Sequence, residues 1–147
     1  MPTSVSSSAY AQYFVDLIQT NKAALGIKFV TYGDQQKIAH TPTVCVEPGI
    51  KRRVSNGSPR RYMNELDTHI IIYHGQVQGT PLNQVVIDLT VDALETLIHA
   101  DATLGGMAID SVVKEVEPGY QTRGTSLFRA TMLTVEARQQ ELLPLNF

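Results

Sequence analysis

The stretch that most constrains this chain runs from Asp101 to Arg138, DATLGGMAIDSVVKEVEPGYQTRGTSLFRATMLTVEAR. Gly105 and Gly106 can take φ > 0 without Cβ strain, so a helix can stop there and the chain can reverse. The pattern predicts a strand over 107–117, a polar loop punctuated by Pro118-Gly119 and Arg123-Gly124, and a second strand over 126–138. On that second strand, Leu127, Arg129, Thr131, Leu133, Val135 and Ala137 share one face. Phe128, Ala130, Met132, Thr134, Glu136 and Arg138 share the other, because strand side chains alternate. Neither face is cleanly polar. That suits a strand with a core on one side and a neighbour, such as another subunit, over part of the other.

The 147 residues suffice for one domain, 1–147, that buries roughly two thirds of its unfolded surface. With 43% hydrophobic and 18% charged residues, the chain is expected to fold. A net charge of −2 makes no global demand for nucleic acid or an anionic membrane. The single Cys45 allows no internal disulfide, which fits a reducing cytosol. Within Val44-Cys45-Val46 it reads as a buried structural thiol, with no activating motif beside it. No apolar run reaches the roughly 18–20 residues of a membrane span, and the N-terminus lacks the regions of a signal peptide.

Residues 1–8 read as a flexible polar tail, with Ser8 as N-cap of a helix over 9–21. Tyr10, Tyr13, Phe14, Leu17 and Ile18 recur at helical spacing as a docking stripe, and Lys22 and Gly26 mark the helix end. Short strands are expected over 27–32 and 43–47, with a turn at Gly33-Asp34 and Pro42 outside any central ladder. A strand over 64–73 ends in Ile70-Ile71-Ile72-Tyr73, apolar on both faces and therefore covered. Thr80-Pro81 is expected to open a second helix as N-cap and first helical residue, although the β-branched run 85–87 allows a start as late as Thr90. Leu82, Val85, Val86, Leu89, Ala93 and Leu97 form its expected apolar side. Residues 139–147 read as a C-terminal tail whose apolar residues need cover. The expected fold is α+β: an antiparallel sheet with two main helices on one face and a projecting basic hairpin.

That hairpin holds Lys51, Arg52, Arg53, Arg60 and Arg61, five of the chain's 12 basic residues within 11 positions and no acid among them. Asn56-Gly57 between them is a reversal signal. Five clustered cations repel one another weakly, so the cluster points to an acidic receiving surface, on a protein neighbour or on nucleic acid. Only Tyr62 adjoins the cluster, whereas a nucleic-acid module would interleave more aromatics, so a protein partner is preferred.

Catalytic patterns are scarce. Asp88, Asp92, Glu95 and His99 share a helical side, but no HExxH or second histidine joins them, and a solvated face needs the same pattern. Asp67 and His69 point to one side of a strand, an orienting pair without a nucleophile in reach of the sequence. Phosphate loops and the GxSxG elbow are absent. The expectation is a non-enzyme with no catalytic, metal or cofactor residues.

Asp101-Ala102-Thr103-Leu104-Gly105-Gly106, closing a helix that contains Ala93-Leu94-Glu95, resembles a corner of bacteriophage tail terminator (tail completion) proteins. The resemblance continues through the strand 112–116 and the final strand 128–135. It extends to the layout of an N-terminal helix, an early hairpin with a long loop, then a helix and two strands. It implies a virion protein of the tail and neck, made in the host cytoplasm. Such a subunit assembles as a ring, most often a hexamer, that caps the tail tube and meets the head connector. No covalent chemistry is implied. The basic hairpin would form a charged collar facing the adjacent subunit, the tube protein or DNA in the channel. Two other readings stay open: a different head–tail joining protein, a stopper or adaptor, and a nucleic-acid-binding module using the hairpin.

Overall fold

The computed structural model describes residues 5–58, 61–78 and 82–142. It is an α+β fold in which α1 (Ser7–Leu25), β1 (Phe29–Tyr32), β2 (Thr43–Ser58), β3 (Arg61–Gln76), α2 (Gln84–His99), β4 (Asp110–Arg123) and β5 (Ser126–Leu142) follow one another. The five strands make one sheet in the order β1-β2-β3-β5-β4.

The sheet is mixed, where the sequence led to an antiparallel one. β1 runs parallel to β2, with Phe29 opposite Thr43 and Tyr32 opposite Val46. Two short runs on either side of a Gly-Asp turn look like a hairpin in sequence. Residues 33–42 instead carry the chain back to the starting end, so the second run enters in the same direction.

Helix α1 begins two residues before the expected start. Its cap is Ser6, whose Oγ accepts a hydrogen bond from the Ala9 amide at 3.2 Å. The expected tail over 1–8 is thus partly tied down: the Val5 amide donates to Gln139 Oε1 at 2.8 Å, and Gln139 Nε2 donates back to the Val5 carbonyl. Residues 1–4 of that tail lie outside the described residues. Gly26 ends the helix in the left-handed conformation, as its position suggested.

One buried cluster joins Tyr10, Phe14 and Ile18 of α1, Val91, Leu94 and Ile98 of α2, and Val44, Leu66, Ile70, Leu133 and Val135 of the sheet. The aromatic stripe of α1 is therefore a core-facing stripe. Tyr10 also anchors it by donating from its hydroxyl to the Met107 carbonyl at 2.8 Å, and burial pushes its pKa up to about 12. A smaller cluster lines opposite-parity strand positions: Cys45, Ile71, Tyr73, Phe128 and Ala130, with Ile38 laid over them. The cover that β5's second apolar face needed thus comes in part from the chain's own 33–42 segment. Asp34 secures it, accepting hydrogen bonds from Tyr73 and Arg123.

The two hairpins are longer than their sequence punctuation implies. β4 runs on through Pro118 and Gly119, and only Gly124 and Thr125 separate it from β5. Pro118 is tolerated because β4 is an edge strand, where a missing donor breaks no second ladder. Gln139 to Leu142, expected in a tail, continue β5 against β3, and residues 143–147 lie outside the described residues. At the 101–106 corner, Leu104, Gly105 and Gly106 take successive positive φ values of 51°, 70° and 89°. Asp101 braces the corner by accepting from the Thr103 and Gly105 amides at 3.1 and 2.9 Å.

Helix α2 departs most from expectation. Asn83 is its N-cap, accepting from the Val85 amide at 2.9 Å, while Thr80 and Pro81 lie outside the described residues. Its buried residues are Ile87, Val91, Leu94 and Ile98. Val85, Val86 and Leu89, expected to face the core, are 64%, 56% and 63% exposed. Both rows have helical spacing and both are apolar, so periodicity alone had no means of ranking them. The seam of γ- and β-branched residues that reaches the α1 aromatics wins the core.

Candidate functional site

The basic segment is not a free arm. β2 passes through a bulge between Pro48 and Lys51 and then pairs with β3 as far as Ser58 opposite Arg61. β3 in turn pairs with β5 out to Arg61 opposite Leu142. The distal hairpin is therefore backed by a third strand. Of the cations singled out in the sequence, Lys51 is exposed, Arg60 lies outside the described residues, and Arg61 is placed by its backbone alone.

Arg52 and Arg53 find their counter-charges within the chain. Arg52 Nη2 lies 3.1 Å from both Asp67 Oδ1 and Glu136 Oε2, and Arg53 Nη2 lies 2.9 Å from Glu141 Oε2. The absence of local acids held no information about this, because the acids arrive by strand pairing from β3 and β5. Asp67 sits directly opposite Glu136. Two like charges at that spacing would destabilise the sheet. Lys114 of β4 completes the set, with Nζ at 2.8 Å from Asp67 and 3.3 Å from Glu136. The charges thus run plus, minus, minus, plus across β2, β3, β5 and β4. Each cation stands beside a bulge, Pro48/Lys51 in β2 and Val113/Glu115 in β4, where the extra residue re-aims its side chain.

Titration follows this geometry. The hydrogen bond to Asp67, with its charge, holds the Arg52 pKa above the ordinary arginine value. Partial desolvation pulls Lys114 down, but hydrogen bonds to Asp67 and Glu136 outweigh it and the net shift is upward. Glu141 is held below the usual carboxylate range by hydrogen bonding from Asn64, with Arg53 and Lys51 adding to it.

Asp67 and His69 share a strand face but are not coupled to each other. His69 Nδ1 lies 3.3 Å from Thr134 Oγ1, while Asp67 is taken up by the two cations. Gly49 stands over both. A Cβ there would come within 2.6 Å of His69 Nε2, so a larger residue at 49 would have to push the His69 ring aside. On α2, His99 Nε2 accepts from the Val113 amide at 3.0 Å, which ties the helix end to β4. Among the described residues, no three His, Cys, Asp or Glu side chains gather in a metal-binding group. Cys45 is fully buried, accepts a hydrogen bond from Thr31, and has its pKa raised, chiefly by desolvation. It is not placed to act as a nucleophile.

Two apolar surfaces that the sequence did not mark as exposed stand out among the described residues. One is the outer stripe of α2, built on Val85, Val86 and Leu89. The other lies at the opposite edge of the sheet, where Phe29, Ile38, Ala39 and His40 line a cavity of about 190 Å³ and the Phe29 and His40 rings stack 5.3 Å apart. A groove of about 360 Å³ crosses Ile71, Ala130 and Met132 between Glu47 and Glu117, with Asp34, Tyr120 and Arg123 also along it and no Ser, Thr, Cys or His among its lining residues. No described helix is long and apolar enough to cross a membrane. Comparison with protein-family models gives no match, and neither does comparison with curated proteins.

Proposed function

We propose that this protein is a structural subunit of a phage virion. It forms a ring, of six copies in the reading favoured here, that caps the tail tube, ends tail polymerisation and offers a joint to the head connector. The observation that carries this is α2. Its core-facing seam is complete, yet it turns three large apolar side chains to solvent at more than half exposure. Apolar surface of this kind on a helix marks a contact with another protein. A ring needs two different surfaces per subunit, used head to tail. Exposed apolar residues occur at both edges of the sheet, Phe29 and Tyr32 on β1 and Val112, Val116 and Tyr120 on β4, among others elsewhere.

In this reading both helices cover one face of the sheet, and the distal β2–β3 hairpin projects as a stiff, β5-backed arm rather than a flexible one. The basic set remains its contact with neighbour, tube or channel DNA. Because Arg52 and Arg53 are engaged internally, exposed Lys51 is the described member whose charge is most open to a partner. That engagement also speaks against a stand-alone nucleic-acid arm, which needs free cations for phosphates. No bond-making step is assigned to any residue.

Electron microscopy of tails assembled with and without the protein tests the reading. The expected result without it is a broad distribution of over-long tails. Tails of normal length that fail to join heads would identify a head-side stopper or adaptor instead, and unaltered particles would end the proposal.

A further inference from the structure

We infer that the outer stripe of α2 docks into the cavity beside β1 of a second copy, with Leu89 seated against Phe29, Ile38 and Ala39. This rests on the ring reading and names its contact. Three observations carry it. First, the two surfaces lie apart in the right sense: α2 packs beside β4, and β4 and β1 are the two ends of the five-stranded sheet. A contact between opposite ends cannot be satisfied within one chain, and it repeats from copy to copy.

Second, their shapes are complementary. At 100° per residue, Val85 and Leu89 project opposite the buried seam of Ile87, Val91, Leu94 and Ile98. They form a ridge that no described residue of its own chain covers. The cavity of about 190 Å³ beside β1 is concave, and Phe29 at its edge is 49% exposed. A branched aliphatic side chain entering it would remove apolar surface on both partners at once.

Third, the charges match. Asp88 and Asp92 are exposed one turn apart along one side of the ridge, while Lys37 on the cavity wall is exposed beside His40. An acidic rim thus meets a basic one. An α2-to-α2 contact would instead place carboxylate against carboxylate, which complementary interfaces avoid.

The test uses the full chain and two variants, Leu89→Arg and Phe29→Asp, with solution mass read by light scattering on tail tubes and off them. Leu89 is 63% exposed, so unchanged thermal melting is its expected fold control, while Phe29, half-buried against His40, is controlled by retention of a cooperative melt. Each variant alone is expected to stay at single-chain mass. Mixed in equal amounts they should give twice that mass and no more, because each supplies the one surface the other has lost. A milder pair guards against misfolding: Asp92→Lys and Lys37→Glu should each weaken assembly by at least roughly tenfold, and the doubly reversed chain should recover it. If wild type assembles and both single variants assemble equally well, this contact is wrong and the ring reading stands. If the mixture stays at single-chain mass, the head-to-tail pairing of these two surfaces is wrong. If wild type never exceeds single-chain mass, even on tubes, the contact and the ring reading fall together.

Discussion

Removing both cations that flank Asp67, in an Arg52→Met, Lys114→Met variant, is expected to destabilise the fold clearly more than removing a surface ion pair does. The Asp67 carboxylate is only 5% exposed, and Glu136 stands directly opposite it on β5. In the native sheet the buried negative charge is balanced at 2.8 and 3.1 Å by cations reaching in from both sides. Without them, a buried carboxylate faces a like charge with no counter-ion, which is unfavourable. The loss is moderated because Arg52 and Lys114 are themselves 39% and 30% exposed, so solvent already screens part of what they contribute. The midpoint of urea unfolding reads the effect. Arg53→Met, which removes an exposed pair with Glu141, is the control and should cost less than about 1 kcal/mol. Equal midpoints for the two variants would show that the four-strand charge row contributes no more than a surface pair.

Acid is expected to loosen the protein through His74. This residue sits at the β3 bulge between Tyr73 and Gly75, is 7% exposed, and has Nε2 at 2.8 Å from Thr131 Oγ1. Burial, with the positive charge of Arg129 adding to it, lowers its pKa from 6.5 to about 4, while Asp88 of α2 opposes the shift. In the folded state the ring therefore stays neutral down to about pH 4, whereas in the unfolded chain it protonates near 6.5. Between those values the unfolded state binds more protons. The stability contributed by His74 is thus fully present above pH 6.5 and is lost as pH falls toward 4, by about 3 kcal/mol in all. Stability curves for wild type and His74→Gln should diverge across that window, the variant having the shallower slope. Parallel curves would mean the histidine titrates alike in both states. Arg129 also ties β5 to the start of α2 through Gln84, so the same protonation falls next to the proposed docking ridge.

The strand faces were legible where side-chain alternation alone decides them. On β5, Leu133, Val135 and Ala137 went to one cluster and Phe128 and Ala130 to the other, as period two requires. The α1 stripe and the Leu104-Gly105-Gly106 corner were legible for the same local reason. What the sequence hid is non-local. Asp67, Glu136 and Glu65, whose Oε1 lies 3.9 Å from Arg52 Nε, lie on the faces that alternation assigns them. Only the register shows that they neutralise Arg52, and without it the basic segment reads as an unpaired arm. The parallel course of β1 depends on how residues 33–42 travel, which no turn motif records. On α2, two apolar rows competed, and the choice between Leu89 and Leu94 was made by the α1 side chains already occupying the core. The row left outside is the candidate site, legible only as a surplus once the core was known.

Solution mass is the most direct measure of whether this protein works by fitting against its own copies. Light scattering of the wild-type chain with purified tail tubes is expected to show ring-sized assemblies bound at tube ends. A single-chain mass in the presence and absence of tubes, with no tube-bound fraction, would contradict the account.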